Sequence, residues 1–253
     1  MAFNPYSLEG KTVLVTGASS GIGKATAIAC SRLGAHVIVS GRNSERLQET
    51  FSELDGEGHL QIIADLTDED QIALLAEFVP PLDGFVNNAG VGNKIPINFI
   101  KRVTLQNILD VNTIAPILLS RYLLKKKKLK RGASMVITSS IAGVCSVDIG
   151  NTLYSVSKSA VDGFMKNAAK ELAEKGIRVN SVNPGMVDLE TVDTPINDYT
   201  SVSEEQKLAD LTNYPLKRHG KPEEIAYAII YLLSDAAAWV TGTALKIDGG
   251  YSL

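Results

Sequence analysis

Thr12-Val13-Leu14-Val15-Thr16-Gly17-Ala18-Ser19-Ser20-Gly21-Ile22-Gly23-Lys24-Ala25-Thr26-Ala27 passes from a β-branched run, through a glycine turn, into an alanine-rich helical stretch. The order strand, glycine turn, helix has a physical meaning. A helix begins with amides that have no partner within the helix, and an anion such as a pyrophosphate can take them if the backbone comes close enough. Gly17, Gly21 and Gly23 remove the side chains that would prevent that approach, while Ser19 and Ser20 add hydroxyl donors and Ile22 opens the apolar face of the helix. A tight turn without a ligand would need the same glycines, but the flanking strand and helix decide for a phosphate site.

Outward from this turn, short β-branched runs alternate with longer segments of helical periodicity. Val37-Ile38-Val39, Gln61-Ile62-Ile63, Gly84-Phe85-Val86, Met135-Val136-Ile137, Arg178-Val179-Asn180 and Leu245-Lys246-Ile247 follow the first run. Between them, Ile22 to Leu33, Ser44 to Leu54 and Asp68 to Phe78 carry apolar residues at helical spacing, and Gly34 stands where a helix C-terminal cap belongs. Alternation of this kind predicts an α/β fold, a seven-stranded parallel sheet doubly wound by helices. No repeat or linker divides the chain, so residues 1–253 are expected to form a single Rossmann domain. The polar segment 186–215, with Pro195 and Pro215, interrupts the alternation and is expected to form a substrate lid.

The glycine spacing Gly-x-x-x-Gly-x-Gly resembles the cofactor signature of the short-chain dehydrogenases/reductases. Further blocks fall in that family's order: Asn87-Asn88-Ala89-Gly90, Tyr154-Ser155-Val156-Ser157-Lys158, Asn183-Pro184-Gly185, and the tail from Gly220-Lys221-Pro222 to Asp248-Gly249-Gly250. The resemblance covers essentially the whole chain, and members reducing 3-oxoacyl groups on acyl carrier protein are among those it resembles. It implies that Asp65 and Leu66 flank an adenine, that Asn87, Asn88, Ala89 and Gly90 support the cofactor near its ribose, and that Pro184, Gly185 and Val187 also bind the cofactor. Leu189 stands where the family usually has a threonine for the nicotinamide amide, and Thr191 follows two places later as a candidate, which leaves open the residue that takes the contact.

Tyr154 and Lys158 lie one helical turn apart and can serve one ligand. A free tyrosine titrates near 10, so its use in proton transfer needs a cation in a partly dry pocket, where a charge ~4 Å away is worth ~4 kcal/mol rather than ~1. The resemblance implies that Ser140 hydrogen-bonds the reacting oxygen, that Asn112 holds a water linked to Lys158, and that Lys158 also holds the ribose. The Ser140 to Tyr154 interval is longer than in most members. Tyr154 with a paired lysine would interconvert a secondary alcohol and a ketone. Two alternatives stand beside this: a 3-oxoacyl-acyl-carrier-protein reductase, docking its carrier on Lys130, Arg131 and Lys175, and a non-catalytic NADP(H)-binding regulator.

The end of the second strand selects between nucleotides. An acidic residue there would hold a free ribose, yet Gly34 through Ser44 contains no aspartate or glutamate, and Arg42 is placed to pair with a 2′-phosphate. NADP is the expected cofactor. With 25 basic and 28 acidic residues the net charge is −3, which offers no field for nucleic acid or an anionic membrane surface. The run Lys125 to Lys128 reads as a solvated helix end. His36, His59 and His219 share no metal-ligand spacing, and Cys30 and Cys145 fit neither zinc nor a disulfide framework. A cytoplasmic protein is expected, its partners a small-molecule or acyl-linked ketone and, by the resemblance, three further copies of itself in a homotetramer.

Overall fold

The computed structural model describes residues 3–189 and 210–253. All seven expected strands form: β1 (Thr12–Thr16), β2 (His36–Gly41), β3 (Leu60–Ile63), β4 (Leu82–Asn87), β5 (Leu129–Thr138), β6 (Arg178–Pro184) and β7 (Ala244–Ile247). They pair in parallel in the order β3-β2-β1-β4-β5-β6-β7, with Leu14 opposite Ile38 on one side and Phe85 on the other. The order reverses between β1 and β4. At such a switch point the loops diverge and leave a crevice at the carboxyl ends of the strands.

Strand residues alternate between two apolar layers. Leu14, Ile38, Phe85, Met135, Ile137 and Val179 face one side, where they meet α3 (Glu69–Phe78), α5 (Ala115–Lys125) and α7 (Thr152–Leu172) through Leu75, Leu119 and Met165. Val13, Val15, Val37, Val39, Val86 and Val182 face the other, against Ala27 and Cys30 of α1 (Gly21–Arg32) and Ile225 and Ile229 of α8 (Pro222–Leu233). Both faces are covered, which is why these strands read as apolar runs rather than strict alternations. Each large side chain so buried, such as the fully enclosed Phe85, contributes roughly 1.5–3 kcal/mol.

The helices start and stop where local chemistry requires. Asn43 caps α2 (Ser44–Ser52) by accepting from the Arg46 amide, and Asp68 caps α3 by accepting from Asp70 and Gln71. At the end of α1, Gly34 takes φ +87°, its amide bonds the Ser31 carbonyl, and the Ala35 amide bonds that of Cys30. This is the predicted glycine stop. Between α4 (Arg102–Leu109) and α5 the helix widens into a π turn at Asp110–Ile114, a feature the periodicity does not announce. The lysine run ends α5 as expected, with Lys126 paired to Glu77 and the Lys128 ammonium on the Glu77 carbonyl. Of the segment expected to form a lid, residues 190–209 lie outside the described residues.

Lys127 closes α5 in the left-handed region, at φ 55°, where the equivalent position of α1 has glycine. That conformation costs a non-glycine residue roughly 1–2 kcal/mol. Lys127→Gly is therefore expected to raise the urea midpoint, by about 1 kcal/mol of stability once glycine's larger unfolded entropy is subtracted.

Candidate functional site

The carboxyl ends of β1, β4, β5 and β6 converge on a cleft of about 440 Å³, within the range of small-ligand sites. Its floor is the glycine turn. Ser20 precedes α1 with no side-chain cap, and the first turn of that helix carries no acid, so its free amides open onto the cleft. Gly17 sits at φ +64°, and a Cβ there would lie 2.8 Å from the Ala89 Cα. Gly23 lies beneath the turn, and a Cβ there would overlap the Gly17 carbonyl oxygen. It therefore shapes the turn from below, whereas Gly17, Ser19, Ser20, Gly21 and Ile22 line the cleft.

Two polar side chains lock this turn to its neighbours. The Thr16 hydroxyl accepts from the Asn88 amide at 3.1 Å, and Asn88 Nδ2 reaches the Thr16 and Gly17 carbonyls at 3.3 and 3.4 Å. Asn88 Oδ1 accepts from Thr138 at 3.1 Å, so one amide spans the ends of β1, β4 and β5. Asn87 turns away, its amide donating to Ser120. Ala89, Gly90, Asp65, Leu66 and Arg42 all reach the cleft, as do Pro184, Gly185 and Val187. Leu189 closes against the glycine turn, with Cδ2 3.0 Å from where a Gly21 Cβ would be. Thr191 lies outside the described residues.

At the other end of the cleft, α7 presents Tyr154 and Lys158. The Lys158 ammonium is buried, donates to the Thr138 carbonyl at 2.8 Å and stands 5.7 Å from the centre of the Tyr154 ring. Burial pushes the lysine down to about 8, and the Asp162 carboxylate pulls it back up. Burial pushes the Tyr154 hydroxyl up, and a hydrogen bond from Ser140 opposes that rise. Ser140 caps the short α6 (Ile141–Val144) through the Ala142 amide at 3.2 Å. Asn112 sits in the π turn with its amide fastened to Val91, at 2.8 and 2.7 Å, and to Ser157 at 3.0 Å. Its Oδ1 and the Lys158 ammonium come within 3.4 Å of where a Gly90 Cβ would stand.

Sequence reasoning passed over three of the residues that hold this arrangement. Asp162 is buried and accepts from Ser139 at 2.9 Å, Ser181 at 2.7 Å and Asn183 at 3.0 Å, and Asn183 also donates to the Ser140 carbonyl at 3.0 Å. Its signal was available, since Asp162 is one turn beyond Lys158 on the same helix face. Arg46 lies in the first turn of α2, four residues beyond Arg42, and its Nε is buried without a hydrogen-bond partner among the described residues. Tyr214 joins the far wall with its oxygen accepting from the Met186 amide at 3.1 Å, too distant in sequence for any spacing rule. The longer Ser140 to Tyr154 connection is spent on a bulge where Gly150 accepts from the Ile95 amide at 2.8 Å and Val147 and Ile149 project outward.

The family model described as enoyl-(acyl carrier protein) reductase matches residues 17–252. A 3-oxoacyl-[acyl-carrier-protein] reductase of Rickettsia felis is 34% identical over 243 residues, covering 96% of this chain and 97% of the relative. An L-xylulose reductase of Caenorhabditis elegans is 33% identical over 254 residues, covering 98% of each. Among solved structures, a candidate NAD(P)-dependent gluconate 5-dehydrogenase from Beutenbergia cavernae, with NADP bound at low occupancy, has a TM-score of 0.87 at 31% identity, covering 98% of this chain and 99% of the other. The chain belongs to the short-chain dehydrogenase/reductase family and is an oxidoreductase that interconverts alcohol and ketone groups with a nicotinamide cofactor.

Asp162→Asn would turn an amide donor toward Ser139 or Asn183, leaving a buried donor unmatched. Equilibrium unfolding is expected to register a loss of roughly 1–3 kcal/mol.

Proposed function

We propose that this protein is an NADPH-dependent reductase of small ketones in which Tyr154 donates the proton, with Ser140, Lys158 and Asn112 completing the catalytic set. The observation that carries this reading is the pairing on α7, a tyrosine kept protonated by burial beside a lysine whose charge survives because Asp162 compensates it. When bound, the reduced nicotinamide supplies a hydride to the carbonyl carbon. Tyr154 gives its proton to the carbonyl oxygen, and the Ser140 hydroxyl orients that oxygen. The Lys158 ammonium stabilises the phenolate left behind. Asn112 Oδ1 and Lys158, facing each other across Gly90, offer the route by which the proton is restored. A regulator without chemistry has no need for a buried cation beneath a half-buried phenol at the cleft, so catalysis is preferred.

The fit of the 2′-phosphate rests on Arg42 and Arg46. Arg42 is exposed at the cleft, Arg46 lines it with a buried unpartnered Nε, and no carboxylate stands at the end of β2. For the substrate, the wall beyond Tyr154 is polar, with Asn93, Lys94, Ser146, Asp148 and Asn151, which favours a compact hydroxylated ketone. Carrier docking has less support. Lys130 is already paired to Asp83 at 2.7 Å, and it lies with Arg131 at the amino end of β5, roughly 30 Å along the strand from Ser140 in the same chain. The reading of 186–215 as a cover is supported by Met186, Leu189, Asp210 and Tyr214, which line the cleft. Exposed Val103 of α4, Val156 of α7 and Trp239 support assembly with further copies, for which a tetramer is the family expectation. No helix among the described residues is long and apolar enough to cross a membrane.

The expected behaviour is specific. Tyr154→Phe should lower kcat by about 10²–10⁴ while NADPH affinity, read by fluorescence titration, stays nearly unchanged. A near-normal rate would refute the assignment. Because the active form carries a charged Lys158, ketone reduction should fall as pH rises through about 8. Replacing Arg42 and Arg46 by alanine should each raise the KM for NADPH roughly tenfold or more, with little change for NADH, since a charge-assisted hydrogen bond is worth about 1.5–3 kcal/mol.

A further inference from the structure

We propose that the ketone carries a carboxylate at the end remote from its reacting carbon, and that Lys94 receives this group while Ser146, Asp148 and Asn151 hold the hydroxyls between. The inference rests on the reading of the cleft as a ketone-reducing site and names its substrate class, a hydroxylated keto acid. Asn93, Lys94, Ser146, Asp148 and Asn151 all line the cleft. Among the described residues, none of these five side chains has a hydrogen bond or an ion pair with the protein. Ser146 is the most enclosed of them, at 8% exposure. A hydroxyl so nearly buried and without a partner leaves free energy to be recovered by a ligand that bonds it.

The backbone fixes these groups in one wall beside the reacting centre. The Ser146 amide bonds the Ile141 carbonyl at 2.9 Å, so Ser146 doubles back against the residue that follows Ser140. Asn151 stands one turn before Tyr154 at the start of α7, and its side chain caps nothing. The Asn151 amide bonds the Asp148 carbonyl at 3.1 Å, which closes the loop between them. Val147 and Ile149 alternate with the polar residues and project outward, so the cleft receives Ser146 and Asp148. Lys94 joins this wall one loop removed from Ser140 and Tyr154. The Ile95 amide donates to the Gly150 carbonyl at 2.8 Å, and a Cβ on Gly150, at φ +81°, would lie 3.7 Å from the Lys94 carbonyl carbon.

Charge decides which part of the substrate goes where. Among the described residues four cations line the cleft: Arg42, Arg46, Lys94 and Lys158. The two arginines lie at and just beyond the end of β2, and Lys158 is fastened to Thr138 beneath Tyr154, which leaves Lys94 for the substrate. An ammonium offers donors only, so an anion satisfies it best. Asp148, on the same wall, offers acceptors only and calls for hydroxyl donors. A phosphate, with about two charges, asks for more cations than Lys94 and would be repelled by Asp148, whereas one carboxylate is matched by one ammonium.

The probes are 5-keto-D-gluconate and L-sorbose, which share every stereocentre and differ in carrying a carboxylate or a hydroxymethyl group at the end far from the ketone. With NADPH, the keto acid is expected to show the higher kcat/KM, and Lys94→Met to cut its advantage over L-sorbose about tenfold or more, as for a charge-assisted hydrogen bond. Taking the ratio between proteins cancels the different open-chain fractions of the two sugars. Calorimetric titration of D-gluconate into the protein with NADPH, where no hydride transfer can follow, reads the same contact without turnover. Lys94→Met should weaken that binding about tenfold or more and Ser146→Ala about three- to tenfold, and the unaltered protein should lose affinity as salt is added. A keto acid used no better than L-sorbose, an advantage that survives Lys94→Met, or D-gluconate binding that is absent or indifferent to Lys94→Met would each overturn the proposal. If neither ketone is reduced while D-gluconate still binds through Lys94, the reductase reading fails and the carboxylate subsite stands.

Discussion

Asp162 lies in the interior at the carboxyl edge of the sheet, where an unpaired carboxylate would cost several kcal/mol. It is tolerated because Ser139 at the end of β5, and Ser181 and Asn183 on β6, each turn a donor toward it. Those bonds fix the depth and rotation of α7 against two strands. Gly143 is part of the same fit, since a Cβ there would stand 2.8 Å from the Lys158 carbonyl carbon and 3.0 Å from Asp162 Oδ2. Once α7 is seated in this way, Tyr154 comes to the rim, Lys158 goes beneath it, and Ser140 is held opposite through the bond from Asn183 to its carbonyl. The negative charge that orders the scaffold also keeps the buried lysine useful as a cation.

The nucleotide end follows a different logic. There the requirement is absence: no side chains on Gly17 and Gly21, no cap on Ser20, no acid in the first turn of α1. A surface made of bare backbone has to be stiffened from outside, and Asn88 does this with one amide between three strand ends. The cleft thus joins a backbone cradle to a side-chain cluster.

What the sequence discloses and what it conceals divide along a physical line. Strand and helix alternation, the glycine turn and the Tyr154 to Lys158 spacing are local patterns, and each forms where expected. Gly34 could be placed as a helix stop because only the left-handed region needs it. The π turn around Asn112 could not, since its stability comes from Val91 and Ser157, partners set by tertiary packing. Asn87, grouped with the cofactor residues by its motif, faces Ser120 because alternate strand residues point to opposite sides. His219 carried no signal, because its partner Asp188 lies 31 residues away in sequence, beyond any spacing rule. Asp162 was within reach of the same helical spacing that pairs Tyr154 with Lys158, one turn further along α7.

The pairing of β7 with β6 has a bearing on when during synthesis the site comes into being. The Gly185 amide is satisfied by the Ile247 carbonyl, the Leu216 amide by Gly249, and Tyr251 stands in the wall of the cleft. The cradle around Gly17 leaves the ribosome well before β7, the strand that secures Gly185. Between the synthesis of β6 and that of β7 a nascent chain therefore carries an incomplete cleft, with an open sheet edge along β6. Completion of the cleft waits on the docking of β7.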